Sequence, residues 1–307
     1  MNEIEKRIIA EIADIHETPE GAYNFRVNSE TDSRKSTANI EIRSKEDKPG
    51  IDIFIKPGTK HESVHIPVVI SETGLKEAVY NDFHIGADAD VVIVAGCGIH
   101  NCGDQDSQHD GVHRFFVEKG ARCKYIEKHY GSKDPDATGK RIMNPVTEVY
   151  MDEDSYMEME MVQIEGIDST NRVTRAELKD RANLVVHERL LTHADQDAVS
   201  EYSVELNGEG ASTNVVSRSV AKEQSHQVFL SKIHGNAACS GHSECDSIIM
   251  DQARIEAIPE IIANSPDAAL IHEAAIGKIA GEQITKLMTL GLTQQEAEEQ
   301  IVNGFLK

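Results

Sequence analysis

The chain has 307 residues, enough for one large domain or two small ones with a substantial core. Its 31 Lys and Arg residues against 53 Asp and Glu residues give a formal net charge of −22. A surface this acidic argues against nucleic acid or an anionic membrane as the main partner. Aromatic residues make up 5% of the chain and Trp is absent, which favours a core of small β-branched side chains.

The cellular compartment is predicted from the start of the chain and from its hydropathy. The first residues lack the apolar core of a signal peptide, and no apolar run approaches the roughly 20 residues that span a bilayer. We therefore expect a cytoplasmic protein. In a reducing cytosol its five cysteines should be free thiols rather than disulfides. They are Cys97, Cys102, Cys123, Cys239 and Cys245.

The N-terminal segment is predicted to begin with an amphipathic helix over residues 2–16, which ends before the turn at 19–21. The apolar face of this helix would carry Ile4, Ile8, Ile12 and Ile15. Residues 28–48 are rich in polar side chains and predict an exposed loop with at most a short strand. Strands are expected at 51–55, 65–71 and 90–95.

From about residue 90 to residue 275 the pattern is a series of short β-rich runs. Many runs alternate strictly, as where Met157, Met159 and Met161 share one face. Small turn residues separate the runs, and no helical pattern lies between them, which excludes a βαβ layout. A sandwich, a barrel and a β-solenoid remain possible. Regular spacing and Gly/Ala corners favour a coil of stacked turns.

The C-terminal segment changes to a helical pattern. A helix is predicted over 277–290 with Gly291 as its stop. Thr293 and Glu296 form a capping box for a second helix, which Gly304 would end. This helical hairpin has apolar surface that must pack on something. It either caps its own domain or binds a partner.

The densest group of chemically capable side chains lies between Cys97 and His113. It contains Cys97, His100, Cys102 and His109 as well as His113. Thiolates and imidazoles are ligands for zinc, copper and iron–sulfur clusters. The spacing matches no standard zinc motif, so a metal site and a Gly-rich turn with incidental thiols both stay open.

Two further groups follow near the end of the strand-rich region. The first contains His234, Cys239, His242, Glu244, Cys245 and Asp246. If residues 244–250 form a strand, Cys245 and Ser247 share one face and Glu244 and Asp246 share the other. The second group is the pair His272 and Glu273. Motifs for a hydrolase nucleophile, a phosphate-binding loop or a dinucleotide site are absent from the sequence.

Several of these segments resemble the SufB/SufD family, the scaffold proteins of the SUF system for iron–sulfur cluster assembly. Cys245-Asp246-Ser247 resembles the Cys-Asp-Ser strand of that family, and the segment 271–306 resembles its tail, with His-Glu-Ala, Glu-Gln and Ile-Val-Asn-Gly-Phe in order. The run from Gly96-Cys97 to 120–125 resembles the corresponding Cys, His and Lys run of SufB. The resemblance covers roughly residues 85–307.

The resemblance implies an all-β core folded as a right-handed parallel β-helix with helical ends. It implies an N-terminal region of helix and short strands over 1–85, a β-helix core over 86–275 and a C-terminal helical segment over 276–307. That segment would bind a SufC-like ABC ATPase, which would hydrolyse the ATP. Its candidate contact residues are Ile284, Leu287, Met288, Leu292, Ile301 and Phe305.

The resemblance also implies roles for the thiols in a scaffold that is not itself an enzyme. Cys97 would accept sulfur from a cysteine desulfurase or another donor. Cys245 and Glu273 would hold a transient iron–sulfur cluster at a dimer interface, for transfer to apoproteins and absent from aerobic preparations. Further candidate ligands are His242, His100, Cys102 and Cys239.

The chain departs from SufB in ways that favour a short, single-scaffold branch. It lacks the long N-terminal region, and Glu127-Lys128-His129-Tyr130 stands where the family has Gln-Asn-Trp. A homodimer is therefore expected, with SufB/SufD-type pairing as the alternative. The alternative function is a β-helix metalloenzyme that uses the group from Cys97 to His113.

Overall fold

The computed structural model describes residues 1–13 and 19–307. Almost all of its regular structure is β-strand, with one helix at the start and two at the end. In chain order the elements are α1 (Glu3–Ala13), β1 (Ala22–Val27), β2 (Glu30–Lys35), β3 (Ile40–Ser44), β4 (Gly50–Ile55), β5 (Lys60–Ile70), β6 (Lys76–Ile85), β7 (Asp90–Asn101), β8 (Ser107–Val117), β9 (Arg122–Lys133), β10 (Arg141–Met143), β11 (Val146–Met151), β12 (Tyr156–Glu165), β13 (Ser169–Leu178), β14 (Asn183–Thr192), β15 (Asp197–Leu206), β16 (Ser212–Ala221), β17 (His226–Gly235), β18 (Ser240–Ile249), β19 (Arg254–Ala263), β20 (Ala269–Gly277), α2 (Gly281–Thr289) and α3 (Gln294–Phe305).

The strands alternate between two sheets and coil into a β-solenoid of about eight turns. The first sheet runs β2-β1-β5-β7-β9-β12-β14-β16-β18-β20, and the second runs β3-β4-β6-β8-β10-β13-β15-β17-β19, with β11 also between β8 and β13. Neighbours pair in parallel, except β1 with β2 and β3 with β4. From β13 onward, strands on successive turns pair 28 or 29 residues apart, as in the side-chain pairs Ser219–Ser247 and Asn183–Ser212. The predicted β-solenoid is confirmed, and sandwich and barrel are excluded.

Strict alternation within each strand decides which side chains face the interior. Met157, Met159 and Met161 are all 0% exposed, while the residues between them are half-buried on the outer face. Strand β18 places Cys245 and Ser247 inside and Glu244 outside, as its alternation predicts. Burial of one face on every strand fixes the register, because a one-residue slip would turn the apolar set outward.

Several corners of the coil share one backbone conformation. A residue with positive φ comes first, as at Asp88 (56°) and Arg181 (56°). A small, fully buried residue follows directly, as at Ala89 and Ala182. The left-handed conformation reverses the chain sharply, and the short side chain fits between the two sheets.

Helix α1 packs on the outer face of the first sheet through Ile8, Ile9 and Ile12. Gly96 on β7 permits this close approach, because a Cβ atom there would lie 2.5 Å from the Ile12 carbonyl oxygen. The predicted helix is confirmed through Ala13, and Ile4 is 37% exposed rather than part of the packed face. The predicted positions 14–16, including Ile15, lie outside the described residues.

Three element predictions were wrong. Residues 28–48 contain the whole of β2 and β3 rather than a loop with at most a short strand, because antiparallel pairing with β1 and β4 holds these strands. The first C-terminal helix begins at Gly281 rather than 277, since β20 continues to Gly277. Helix α3 runs through Gly304 and ends at Phe305.

The capping box of Thr293 and Glu296 is confirmed at the start of α3.

Parallel pairing of strands begins before residue 86, where β4 pairs with β6. It continues across residue 86, where β5 pairs with β7. The division of the chain at 85/86 and 275/276 stays a prediction.

Candidate functional site

Cys97 lies inside the solenoid between two histidines. It faces inward from β7 and is 4% exposed. His129 is its register partner on β9, and His109 reaches it from β8 in the opposite sheet. The thiol is hydrogen-bonded to both imidazoles. His109 is in turn bonded through Nδ1 to Glu77 Oε1 at 2.9 Å.

This environment favours a thiolate at neutral pH. Burial alone would oppose ionisation, but His109 and His129 outweigh it and lower the pKa of Cys97 to about 7. Burial likewise opposes the charge on His109, whereas Cys97 and Glu77 raise the pKa of His109 to about 10. Near pH 7 the thiol is therefore about half ionised beside an imidazolium, and the thiolate is the form in which a cysteine is a nucleophile.

A buried charge network continues from this thiol along the interior. Glu127 is an ion-pair partner of His129, at 3.6 Å, and of Arg172 on β13. The hydroxyl of Tyr125 donates to Glu127 at 2.9 Å. Glu127 and Arg172 are 1% and 3% exposed as side chains, so neither charge is solvated by bulk water. Burial opposes ionisation of Glu127, yet Arg172 and His129 hold its pKa well below the usual range.

The network ends at the second thiol. Arg172 lies 3.9 Å from Glu188 on β14, and Glu188 accepts hydrogen bonds from Ser200, Tyr202 and Ser217 at 2.6, 3.0 and 2.7 Å. Ser217 is the register partner of Cys245 on β18. We call this series the interior polar chain. Its members, in order, are Cys97, His129, Glu127, Arg172, Glu188, Ser217 and Cys245.

Cys245 differs from Cys97 in its surroundings. It is 1% exposed, and its Sγ lies 3.6 Å from the hydroxyl of Ser247. Burial raises its pKa. His272 on β20 faces the same interior space, since its register partner Ser243 shares the inner face with Cys245. His272 Nδ1 is buried and has no hydrogen-bond partner among the described residues, which leaves a ligand atom available.

Glu273 lies on the other side of the first sheet from Cys245. It is the register partner of Glu244, and its Oε2 is 3.4 Å from Nε2 of His242. The ligand atoms of His242, Glu244 and Glu273 all lie within 4.8 Å of one another, a spacing that could hold a metal ion. Imidazole and carboxylate groups are both ligands for divalent metal ions. In this conformation Cys245 and Glu273 do not share a site.

The remaining predicted ligands are dispersed. His100 faces outward from β7, where it contacts Ser132 at 2.9 Å and Asp134 at 3.3 Å. Cys102 is exposed after β7 and lies 3.1 Å from the hydroxyl of Thr73. Cys239 is buried in the main apolar core at a corner. The group from Cys97 to His113 is thus divided between the interior, the outer face and a loop, so it forms no single metal centre.

The C-terminal helices present the predicted partner-binding residues with different exposure. Met288 is 44% exposed, and Ile284, Leu287, Leu292, Ile301 and Phe305 are half-buried. Ala297 and Val302 of α3 are buried. None of the helices in the described part of the chain has the length and apolarity needed to cross a membrane.

Sequence reasoning missed Glu77, Glu127, Arg172 and Glu188. A signal for them was present, because Glu127 and Arg172 occupy inward positions of alternating strands. A charged residue at such a position needs a buried partner. Glu127 and Arg172 are partners although they lie 45 residues apart in the sequence, so the local pattern does not show the pairing.

The fold and the site define a class of protein: a β-solenoid that encloses two thiols on the inner face of one sheet, with buried polar and charged side chains between them. The family model described as SUF system FeS cluster assembly, SufBD core domain, matches residues 71–305. The chain therefore belongs to the SufBD family, whose members are assembly scaffolds. The resemblance seen in the sequence is confirmed.

Curated relatives carry the same family description. A protein named iron-sulfur cluster assembly SufBD family protein from Methanothermobacter thermautotrophicus is 28% identical over 283 residues, which are 90% of this chain and 67% of the relative. A namesake from Methanocaldococcus jannaschii is 27% identical over 87% of this chain and 84% of its own length. The iron-sulfur cluster assembly protein SufB of Bacillus subtilis is 32% identical over 31% of this chain and 22% of its own.

Proposed function

We propose that this chain is a scaffold on which iron–sulfur clusters are assembled, with Cys97 as sulfur acceptor and Cys245 as cluster ligand. The observation that carries the proposal is the thiolate–imidazolium pair of Cys97 and His109, buried at one end of the interior polar chain. Sulfur transfer needs a thiolate nucleophile, and this pair supplies one near pH 7.

The interior polar chain supports movement of sulfur toward the cluster site. Cys97 and Cys245 face the same interior from strands five spacings apart, about 24 Å. Apart from the interior polar chain, the core between these two thiols is largely apolar, as at Met159 and Met161 on β12. Hydrogen-bonding and charged groups along this path lower the cost of placing a small anion there.

The cluster would form at the end of the solenoid, where β18 and β20 meet. Cys245 and His272 offer a thiol and an imidazole from the inner face, and Glu273, His242 and Glu244 offer ligands for iron from the outer face. Joining the faces requires movement of β20. A one-residue slip of this edge strand would turn Glu273 inward beside Cys245.

A second copy of the chain would cover this end of the solenoid. Strands β19 and β20 are the last strands of their sheets, so both present unpaired edges. Exposed isoleucines surround these edges: Ile258, Ile261, Ile262, Ile271 and Ile276 are between 40% and 56% exposed. A self-complementary apolar end of this kind fits a homodimer.

Dimerisation is tested by placing charges at this end. Ile261→Lys with Ile276→Lys should convert the dimer to a monomer in light scattering after size exclusion, because two desolvated cations cannot be paired in the interface. Ile164→Lys is the matched control, since Ile164 is 47% exposed on β12 away from the open end. A wild type that is monomeric at all concentrations contradicts the dimer.

The ATPase partner is a separate part of the proposal. A SufC-like ABC ATPase would bind α2 and α3, and ATP hydrolysis there would drive the rearrangement of β20. The exposed side chain of Met288 and the half-buried Leu287 and Phe305 offer the apolar contact. A cysteine desulfurase or another donor would supply sulfur, and cytoplasmic apoproteins would receive the cluster.

Anaerobic reconstitution tests the cluster site. Wild type with iron and sulfide, with and without the ATPase, should develop visible absorbance and bound iron. Cys245→Ser should lose at least about tenfold in cluster content, because a hydroxyl is a poor replacement for a thiolate ligand. Cys123→Ala is the control: Cys123 is equally buried in the same sheet, and burial raises its pKa.

The outcomes separate the competing functions. Equal loading of wild type and Cys245→Ser removes Cys245 from the site and makes Cys97 and Cys102 the next thiols to test. Tight zinc in aerobic protein, with no cluster in any variant, would instead support a metalloenzyme.

A further inference from the structure

A basic cavity opens at the N-terminal end of the solenoid. It has a volume of about 540 Å³ and lies between β1 and β2 on one side and β4 and β6 on the other. Five basic side chains line it, and among the lining residues that the structure describes Glu77 is the acidic one. The basic residues are Arg26, Arg34, Lys45, Lys48 and Lys76. In a chain of net charge −22 this concentration of cations does not follow from composition.

Two of these cations lack a carboxylate partner in the described part of the chain. Arg34 donates to the neutral oxygens of Asn24 and Ser44, at 2.7 and 2.9 Å. The Lys48 ammonium lies 4.6 Å from the centre of the Tyr80 ring. Desolvation lowers the pKa of Arg34, and no anion offsets it. A bound anion would remove this cost, and the nearby hydroxyls of Ser44 and Thr31 would add hydrogen-bonding groups.

The cavity ends one strand before Cys97, which does not itself line it. Arg26 Nη2 is 3.0 Å from Glu77 Oε2. The other carboxylate oxygen, Oε1, is hydrogen-bonded to His109, which is the partner of the Cys97 thiol. Val68 lines the cavity and is the register partner of Cys97 on the next strand. The strands that carry Val68 and Cys97 therefore lie one strand spacing, about 4.8 Å, apart.

We propose that this cavity binds a small sulfur-carrying oxyanion of the thiosulfate class and presents it to Cys97. The inference rests on the proposed function of Cys97 as sulfur acceptor and names the substrate of that step. The thiol is 4% exposed, so the donor must fit inside the cavity. The cations and hydroxyls around the cavity select a multiply charged oxyanion.

The transfer balances without an oxidant. The Cys97 thiolate attacks the outer sulfur of thiosulfate, the Sγ–S bond forms and the S–S bond of the donor breaks. The electron pair of that bond leaves with sulfite. One thiolate and one dianion become one persulfide anion and one sulfite dianion.

The first measurement is calorimetric binding of thiosulfate to the full chain under anaerobic conditions. Arg34→Gln with Lys48→Gln should raise Kd at least about tenfold, since two charge-assisted contacts are lost. Lys179→Gln removes an exposed cation at a distant corner and should bind as wild type. Unchanged unfolding midpoints would show that the variants fold.

The second measurement follows sulfur transfer by mass spectrometry and sulfite release. Wild type should gain one sulfur on Cys97 from thiosulfate, and the Arg34/Lys48 double variant should lose this gain. Equal thiosulfate binding by wild type and the double variant overturns the inference. So does a Cys97 that takes sulfur from inorganic polysulfide but not from thiosulfate, and the proposed function then stands. A Cys97 that takes sulfur from neither donor overturns both.

Discussion

Replacing His109 by Gln should remove the thiolate of Cys97 at neutral pH. In the wild type the Cys97 pKa of about 7 means that the thiolate forms as pH rises through 7 and is lost below it. Without the imidazolium, burial dominates and the pKa returns to or above the ordinary thiol range, near 8.5. The thiolate fraction at pH 7, and with it the rate of sulfur acceptance, should fall at least about tenfold. The ultraviolet absorbance of the thiolate, taken as the difference from Cys97→Ser, measures this titration.

His113→Gln is the matched control for His109→Gln. His113 lies on the same strand and also faces inward, but it is bonded to Tyr125, at 2.7 Å, instead of Cys97. Burial lowers the pKa of His113 to about 4, so it is neutral at pH 7. Its replacement should leave the titration of Cys97 in place. An equal shift in both variants would mean that general packing, and not the His109 charge, sets the reactivity of Cys97.

Replacing Arg172 by Met should be the most destabilising change in the interior polar chain. Arg172 is 3% exposed and lies between Glu127 and Glu188, so its loss leaves Glu188 without its cation and Glu127 with His129 alone. Breaking a buried pair by removing one partner costs about 3–5 kcal/mol. Urea unfolding of the intact chain should show this as a lower midpoint with little change in slope.

Lys179→Met is the comparison for Arg172→Met. Lys179 pairs with Asp152 at 2.7 Å, but both side chains are largely exposed, and such pairs contribute about 0–1 kcal/mol. Adding Glu127→Gln to Arg172→Met should restore part of the loss, because a neutral amide costs less to bury than a lone carboxylate. Equal midpoints for the Arg172 and Lys179 variants would show that the interior charges are solvated.

Local pattern was sufficient for much of the architecture. Strict alternation identified the inward face of β12 through Met157, Met159 and Met161, and the inward face of β18 through Cys245 and Ser247. Short corners with small residues favoured the solenoid over a sandwich. These features were predictable because they depend on residues close together in the chain, where the period of two is visible.

The polar strands near the N-terminus were missed for the opposite reason. β2 has no apolar alternation, and its six residues are half-buried or exposed. It is a strand because β1 offers an antiparallel edge, which is a tertiary contact. The motif for the second C-terminal helix was local, and the capping box of Thr293 and Glu296 formed as predicted.

The sequence by itself determined the strand alternation and the family, and it made Cys97 and Cys245 the candidate site residues. Only the tertiary structure decided which side chains surround each thiol. Glu77, Cys97, His109 and His129 come from four successive strands, and the stacking register brings them together. The same register places Ala274, rather than Glu273, opposite Cys245. Register is set by burial summed over every turn of the coil, so no single motif contains it.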